Sequence, residues 1–165
     1  MSSKNVMIIC TDTYGKVFFK KLTNRLKNEK LIPNHRIYVE RFNGPCSPKL
    51  ERQLTIYACL REIDFVIIVA DADGKPPTKI KKMIEVHIPA ELKPSTGIVI
   101  LEYEIEDWIC ISKGIRISDT KPSLILKQKE DYEKYKLCNY VSELKIGKLV
   151  SRCKSFYNFL KFLQH

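Results

Sequence analysis

The chain has 165 residues, 44% of them hydrophobic and 29% charged, the balance of one soluble globular domain with a core of its own. No apolar run approaches the ~20 residues that cross a bilayer, and the short apolar stretch after Met1-Ser2-Ser3-Lys4-Asn5 is too brief for a signal-peptide core. A cytoplasmic protein without a membrane partner is expected, and its net charge of +10 suits either an anionic partner, nucleic acid first, or a solvated lysine-rich surface.

Val6-Met7-Ile8-Ile9-Cys10 reads as a first buried strand, followed by Thr11-Asp12-Thr13. Phe18, Leu22 and Leu26 recur at helical spacing and predict a helix over about 14–29. Arg36–Glu40 reads as a short second strand. Asn43-Gly44-Pro45-Cys46-Ser47-Pro48 has turn chemistry, with Ser47 placed to cap a helix that starts at Pro48 and buries Leu50, Leu54, Tyr57 and Ala58.

The run Asp64-Phe65-Val66-Ile67-Ile68-Val69-Ala70-Asp71 predicts a strand buried on both faces. It ends in Asp71-Ala72-Asp73-Gly74. Residues two apart on a strand point the same way, so Asp71 and Asp73 are expected to aim two carboxylates at one spot. Ile80, Met83, Ile84, His87 and Ile88 then share a helical face, with His87 read as a packed histidine rather than a ligand. Gly97–Leu101 reads as a fourth strand, and the acidic segment Glu102-Tyr103-Glu104-Ile105-Glu106-Asp107-Trp108 leaves it.

The stretch 112–130 shows no clear period. Leu137, Cys138, Val141 and Leu144 form a helical stripe interrupted at Gly147, and Ser155 is placed to cap a last helix that buries Phe156, Phe159, Leu160 and Leu163. The six cysteines make no C-x-x-C pair or zinc pattern. Cys10, Cys59, Cys110 and Cys138 lie in apolar stretches and read as small buried hydrophobes.

The order βαβαβαβ followed by helices predicts an α/β fold: a Rossmann-like, four-stranded, mainly parallel sheet flanked by helices. Residues 1–110 would form the core and 111–165 a helical extension packed on it, a single domain overall. Ligands of such sheets bind beyond the carboxyl ends of the strands, where Asp12, Asp71, Asp73, Glu102, Glu104 and Glu106 all fall. Carboxylates are hard oxygen donors and suit Mg²⁺ or Mn²⁺; the competing reading is a set of helix caps and turns. The P-loop pattern fails because Pro76 follows Gly74-Lys75, and no G-x-G-x-x-G, H-E-x-x-H or G-x-S-x-G occurs. Dehalogenase-type phosphatases place Thr or Val where Lys75 stands.

Asp71-Ala72-Asp73, the segment Leu101–Trp108 and the ending Ser155-Phe156-Tyr157-Asn158-Phe159 together resemble the Toprim domain, the metal-binding module of topoisomerases, bacterial primases and OLD-type nucleases. The likeness is to its small stand-alone members. It implies a Toprim fold and Mg²⁺- or Mn²⁺-dependent phosphodiester hydrolysis on DNA or RNA without sequence specificity. Asp71 and Asp73 would hold the metal, and Glu102, Glu104 or Glu106 would complete its shell. The family's first acid, a glutamate, corresponds by spacing to Thr11, so Asp12, the nearest acid, would serve as base or second-metal ligand, with Glu104 the other catalytic carboxylate. Lys75 is either a phosphate-neutralising cation or a solvated loop lysine. Lys145, Lys148, Arg152 and Lys154 lie in a C-terminal stretch without acids and are candidate backbone contacts. The alternatives are a catalytically weakened Toprim-like module that binds nucleic acid or a protein partner such as an ATPase, and a small-molecule phosphatase with a D-x-D metal site.

Overall fold

Four strands, β1 (Asn5–Cys10), β2 (Arg36–Arg41), β3 (Phe65–Asp71) and β4 (Thr96–Leu101), pair in the order β2-β1-β3-β4, all parallel. They belong to a computed structural model that describes residues 3–60 and 62–165; Met1 and Ser2, where the signal-peptide reading begins, lie outside the described residues. β1 and β3 are central and carry the longest unbroken apolar runs, Val6–Cys10 and Phe65–Ala70. Alternation divides their side chains between two cores. Val6, Ile8, Cys10, Ile67, Val69, Val99 and Leu101 face one core, and Met7, Ile9, Val66, Ile68 and Ala70 face the other. The fold is therefore α/β, with a parallel sheet covered by helices on both faces.

The first core is closed by α1 (Gly15–Asn28), α4 (Glu106–Lys113), α5 (Pro122–Glu130), α6 (Ile146–Arg152) and α7 (Lys154–Leu163). Its centre is aromatic. Trp108 lies with its ring centroid 4.9 Å from Phe156, 5.4 Å from Phe159 and 5.9 Å from Phe19. The C-terminal helices thus contribute to the same core as β1 and α1. The opposite face is covered by α2 (Lys49–Leu60) and α3 (Pro77–Glu85). Among the described residues no helix is long and apolar enough to cross a membrane.

Several expected details change. Ser155 does not cap α7: its Oγ accepts the Trp108 indole N–H at 2.9 Å, and Cys153 holds the cap position. The Ser47 carbonyl, rather than its hydroxyl, receives the Leu50 N–H at the start of α2. The stripe through Leu137, Val141 and Leu144 is buried, but 134–143 winds as a 3-10 helix. The Arg25 guanidinium takes the Val141 and Leu144 carbonyls at 2.6 and 2.8 Å, which anchors the end of that tighter winding. Cys138 is half-buried and Cys59 exposed, whereas Cys153 joins Cys10 and Cys110 in the interior. Met83 is exposed and His87, beyond the end of α3, is half-buried. The packed histidine is His35, whose Nδ1 accepts the Lys4 N–H at 3.2 Å.

Gly97 is where α7 meets the sheet. A Cβ built there would lie 2.7–2.8 Å from three atoms of the Phe162 ring, which itself packs on Phe65. Overpacking of this kind typically costs about 1–3 kcal/mol. Gly97→Ala is therefore expected to lower the unfolding free energy measured in urea by that amount, while Gly147→Ala, where a Cβ meets nothing within 4 Å, leaves it unchanged or raised.

Candidate functional site

β1 has β2 on one side and β3 on the other, so successive crossovers diverge at the crevice beyond their carboxyl ends. Open parallel sheets take ligands at that point. Asp12 follows β1, and Asp71 is the last residue of β3. The register pairs Asp71 with Leu101, which belongs to the core under α1 and α4; alternation therefore sends the Asp71 side chain to the same side of the sheet. Glu102, one residue further on, goes to the opposite side.

The segment between β4 and α4 is then folded back by Asp107. Its carboxylate accepts the backbone N–H of Tyr103 at 2.9 Å and of Glu104 at 3.5 Å. This turn buries Glu104 and Glu106 beside Asp12 and Asp71. Glu104 Oε1 also accepts the Ser123 N–H at 2.8 Å, at the N-terminus of α5, where an anion is favoured. Tyr132 donates its hydroxyl to Glu106 Oε1.

Lys134 binds the cluster together. Its Nζ lies 3.0 Å from Asp12 Oδ2, 3.3 Å from Glu104 Oε2 and 2.9 Å from Glu106 Oε1. Burial works against the ammonium, but the carboxylates of Glu106, Asp12 and Glu104 outweigh it and hold its pKa above the usual lysine range. One ammonium does not neutralise the group. Burial, with Asp12 adding repulsion, pushes the Asp71 carboxyl up to about 8. Burial and then the Glu104 charge raise Glu106 as well. Glu106 Oε2 is buried and has no hydrogen-bond partner. The site is therefore short of positive charge and of donors, and the groups it presents are hard carboxylate oxygens.

Asp73 stands at the rim. It has a left-handed backbone (φ 49°), is exposed, and pairs with Lys121 at 2.9 Å. It therefore leaves the strand alternation that would have paired it with Asp71. Glu102 lines a groove of about 570 Å³ on the far side of the 102–107 segment, together with Ile98, Ile100, Lys81, Arg152 and Lys154. Asp107, up to about 7 through burial, lies between the two sides and serves the backbone rather than the cluster. Lys75 is exposed on the loop beyond Asp73, and the Lys148 ammonium lies over Gly114 at the end of α4. Lys145 precedes α6, with its N–H on Ser112 Oγ at 2.7 Å. The four C-terminal cations thus divide, with Arg152 and Lys154 on the groove and Lys145 and Lys148 by the end of α4.

Sequence reasoning missed Lys134 and Tyr132. The one available signal is their spacing around Glu133, whose backbone is extended (φ −131°, ψ 148°). Residues flanking an extended position share a side, and both reach Glu106. Among the described residues, no three His, Cys, Asp or Glu side chains are already grouped to hold a metal ion; three of the acids here are gathered on the Lys134 ammonium instead. No protein-family model matches the chain, and no curated protein matches it.

Proposed function

We propose that this is a Toprim-like protein that binds Mg²⁺ or Mn²⁺ and performs phosphoryl transfer on nucleic acid, namely phosphodiester hydrolysis. The observation that carries this reading is Glu106 Oε2: a buried carboxylate oxygen without a partner, in a crevice where four carboxylates face one ammonium. The donor chemistry fits a hard divalent cation, with Asp71, Glu104 and Glu106 as the residues that would hold it. When bound, such a cation supplies polarisation of the phosphoryl group and a more acidic attacking water.

The chain's own residues supply the rest. Asp12, at the mouth of the crevice, is the proton acceptor. Lys134 offers an ammonium to the phosphate, and Lys121 and Asp73 form a rim pair that opens to solvent. Arg152 and Lys154, across the 102–107 segment, contact the backbone of the bound strand away from the reacting phosphate. The +10 charge brings polyanions in. An ATPase or other protein partner remains compatible with this assignment.

The test is cleavage of single- and double-stranded DNA and RNA with Mg²⁺ or Mn²⁺. Wild type is expected to cleave, and Asp71→Ala/Asp73→Ala to lose at least 100-fold in rate, the order expected when a catalytic metal site is dismantled. Cleavage that survives the double change rules the mechanism out. One observation favours a second reading. Lys134 already gives three of the acids a cation at 2.9–3.3 Å, as a metal-free binding module would require. Salt-sensitive nucleic-acid binding by wild type without cleavage would select that reading.

A further inference from the structure

Among the described residues the exposed aromatic side chains are Tyr14, Tyr135 and Tyr157. Two of them adjoin residues of the acidic crevice in the chain. Tyr14 lies two residues after Asp12, and its N–H is bonded to Asp12 Oδ1 at 2.7 Å. Tyr135 follows Lys134, whose Nζ is 3.0 Å from Asp12 Oδ2. One ion pair therefore fixes both segments, and a tyrosine projects from each. The side chains are far from covered: Tyr14 is 42% and Tyr135 62% exposed. The Lys136 ammonium lies 5.9 Å from the Tyr135 ring centroid, so a cation accompanies the ring at the surface.

Exposed rings borne by segments that meet at a charged crevice are an arrangement that receives unstacked bases. A base has a π-face whatever its identity, and aromatic platforms beside cations bind single strands with little sequence preference. A duplex keeps those faces inside its own stack and cannot offer them. Building on the nucleic-acid reading above, we infer that the preferred ligand is a single strand. Two of its bases stack on Tyr14 and Tyr135, and the intervening phosphate lies toward the Lys134 ammonium.

The test is binding without turnover. Fluorescence anisotropy in EDTA compares labelled oligothymidylate, oligouridylate, an abasic strand and a blunt duplex, each about fifteen nucleotides long, a length that spans one such site. Tyr14→Ala and Tyr135→Ala are each expected to weaken binding of the base-bearing strands about tenfold, the usual effect of losing one stacking platform. Tyr14→Phe, Tyr135→Phe and Tyr157→Ala should bind as wild type does. The abasic strand should bind weakly and equally to all variants. The thymidylate and uridylate arms show whether DNA or RNA is taken. The inference is overturned if both alanine variants hold the base-bearing strands as wild type does, or if wild type binds the duplex or the abasic strand as tightly as the base-bearing ones. These outcomes do not depend on cleavage. The absence of any nucleic-acid binding at low salt in EDTA would overturn the inference, while the parent reading stands or falls separately on cleavage with Mg²⁺ or Mn²⁺.

Discussion

Lys134→Met is expected to lose about 3 kcal/mol of stability near neutral pH, because it leaves buried Glu104 and Glu106 without their counter-charge. That figure sits at the low end for a broken buried pair, since the lysine itself is partly exposed to solvent. The loss should depend on pH with a definite sign. Glu106 is already held above the usual carboxylate range, and removal of the ammonium raises it further. The folded state then binds a proton that the unfolded chain releases, so stability falls as pH rises above the unfolded carboxylate value of about 4.3. The variant should approach wild type in acid and diverge from it toward alkaline pH. Urea unfolding at several pH values checks this. A deficit that grows toward acid would contradict the placement of Lys134.

Trp108→Ala carries the largest cost expected in the chain, about 4 kcal/mol, or a fall in Tm of roughly 10 °C for a domain of this size. The indole is fully buried and lies within 6.3 Å, centroid to centroid, of Phe18, Phe19, Phe156 and Phe159. Its truncation also removes the indole N–H that Ser155 Oγ accepts. The effect reaches the site because Trp108 sits in the first turn of α4, directly after Glu106 and Asp107. Calorimetric unfolding measures the loss; a change below 1 kcal/mol would mean that α7 does not dock on α4 as described.

Much of the fold was legible because burial on both faces leaves an unambiguous mark. Val66–Ala70 and Val6–Cys10 admit no polar residue, and Phe18, Leu22 and Leu26 repeat at helical spacing. The C-terminal part was less legible. The 3-10 winding of 134–143 has its last carbonyls held by Arg25, more than a hundred residues away in sequence, and no local period announces such a bond. Residues 112–130 hide a helix end at Gly114, which takes a left-handed conformation (φ 74°), and a new start at Pro122.

The site was legible in its acids and not in its cation. Asp12 and Asp71 mark strand ends, and Glu104 and Glu106 follow the next one. Strand parity would have kept Glu102 with Glu104, and the turn that Asp107 holds at Tyr103 and Glu104 is what separates them. Asp73 departs because Asp73 and Gly74 both take left-handed backbone at the turn, which ends strand alternation at Asp71. Lys134 arrives from a polar stretch whose pattern resembles an ordinary surface, and only tertiary folding reveals that its ammonium is gathered by three carboxylates.

The central claim is that Asp71, Glu104 and Glu106 form a divalent-cation site. Titration calorimetry of Mn²⁺ into wild type, Asp71→Asn and Glu106→Gln tests it most directly. Wild type should show one saturable site, weakened at least tenfold in each variant. No saturable binding by wild type, or equal binding by all three proteins, would contradict it.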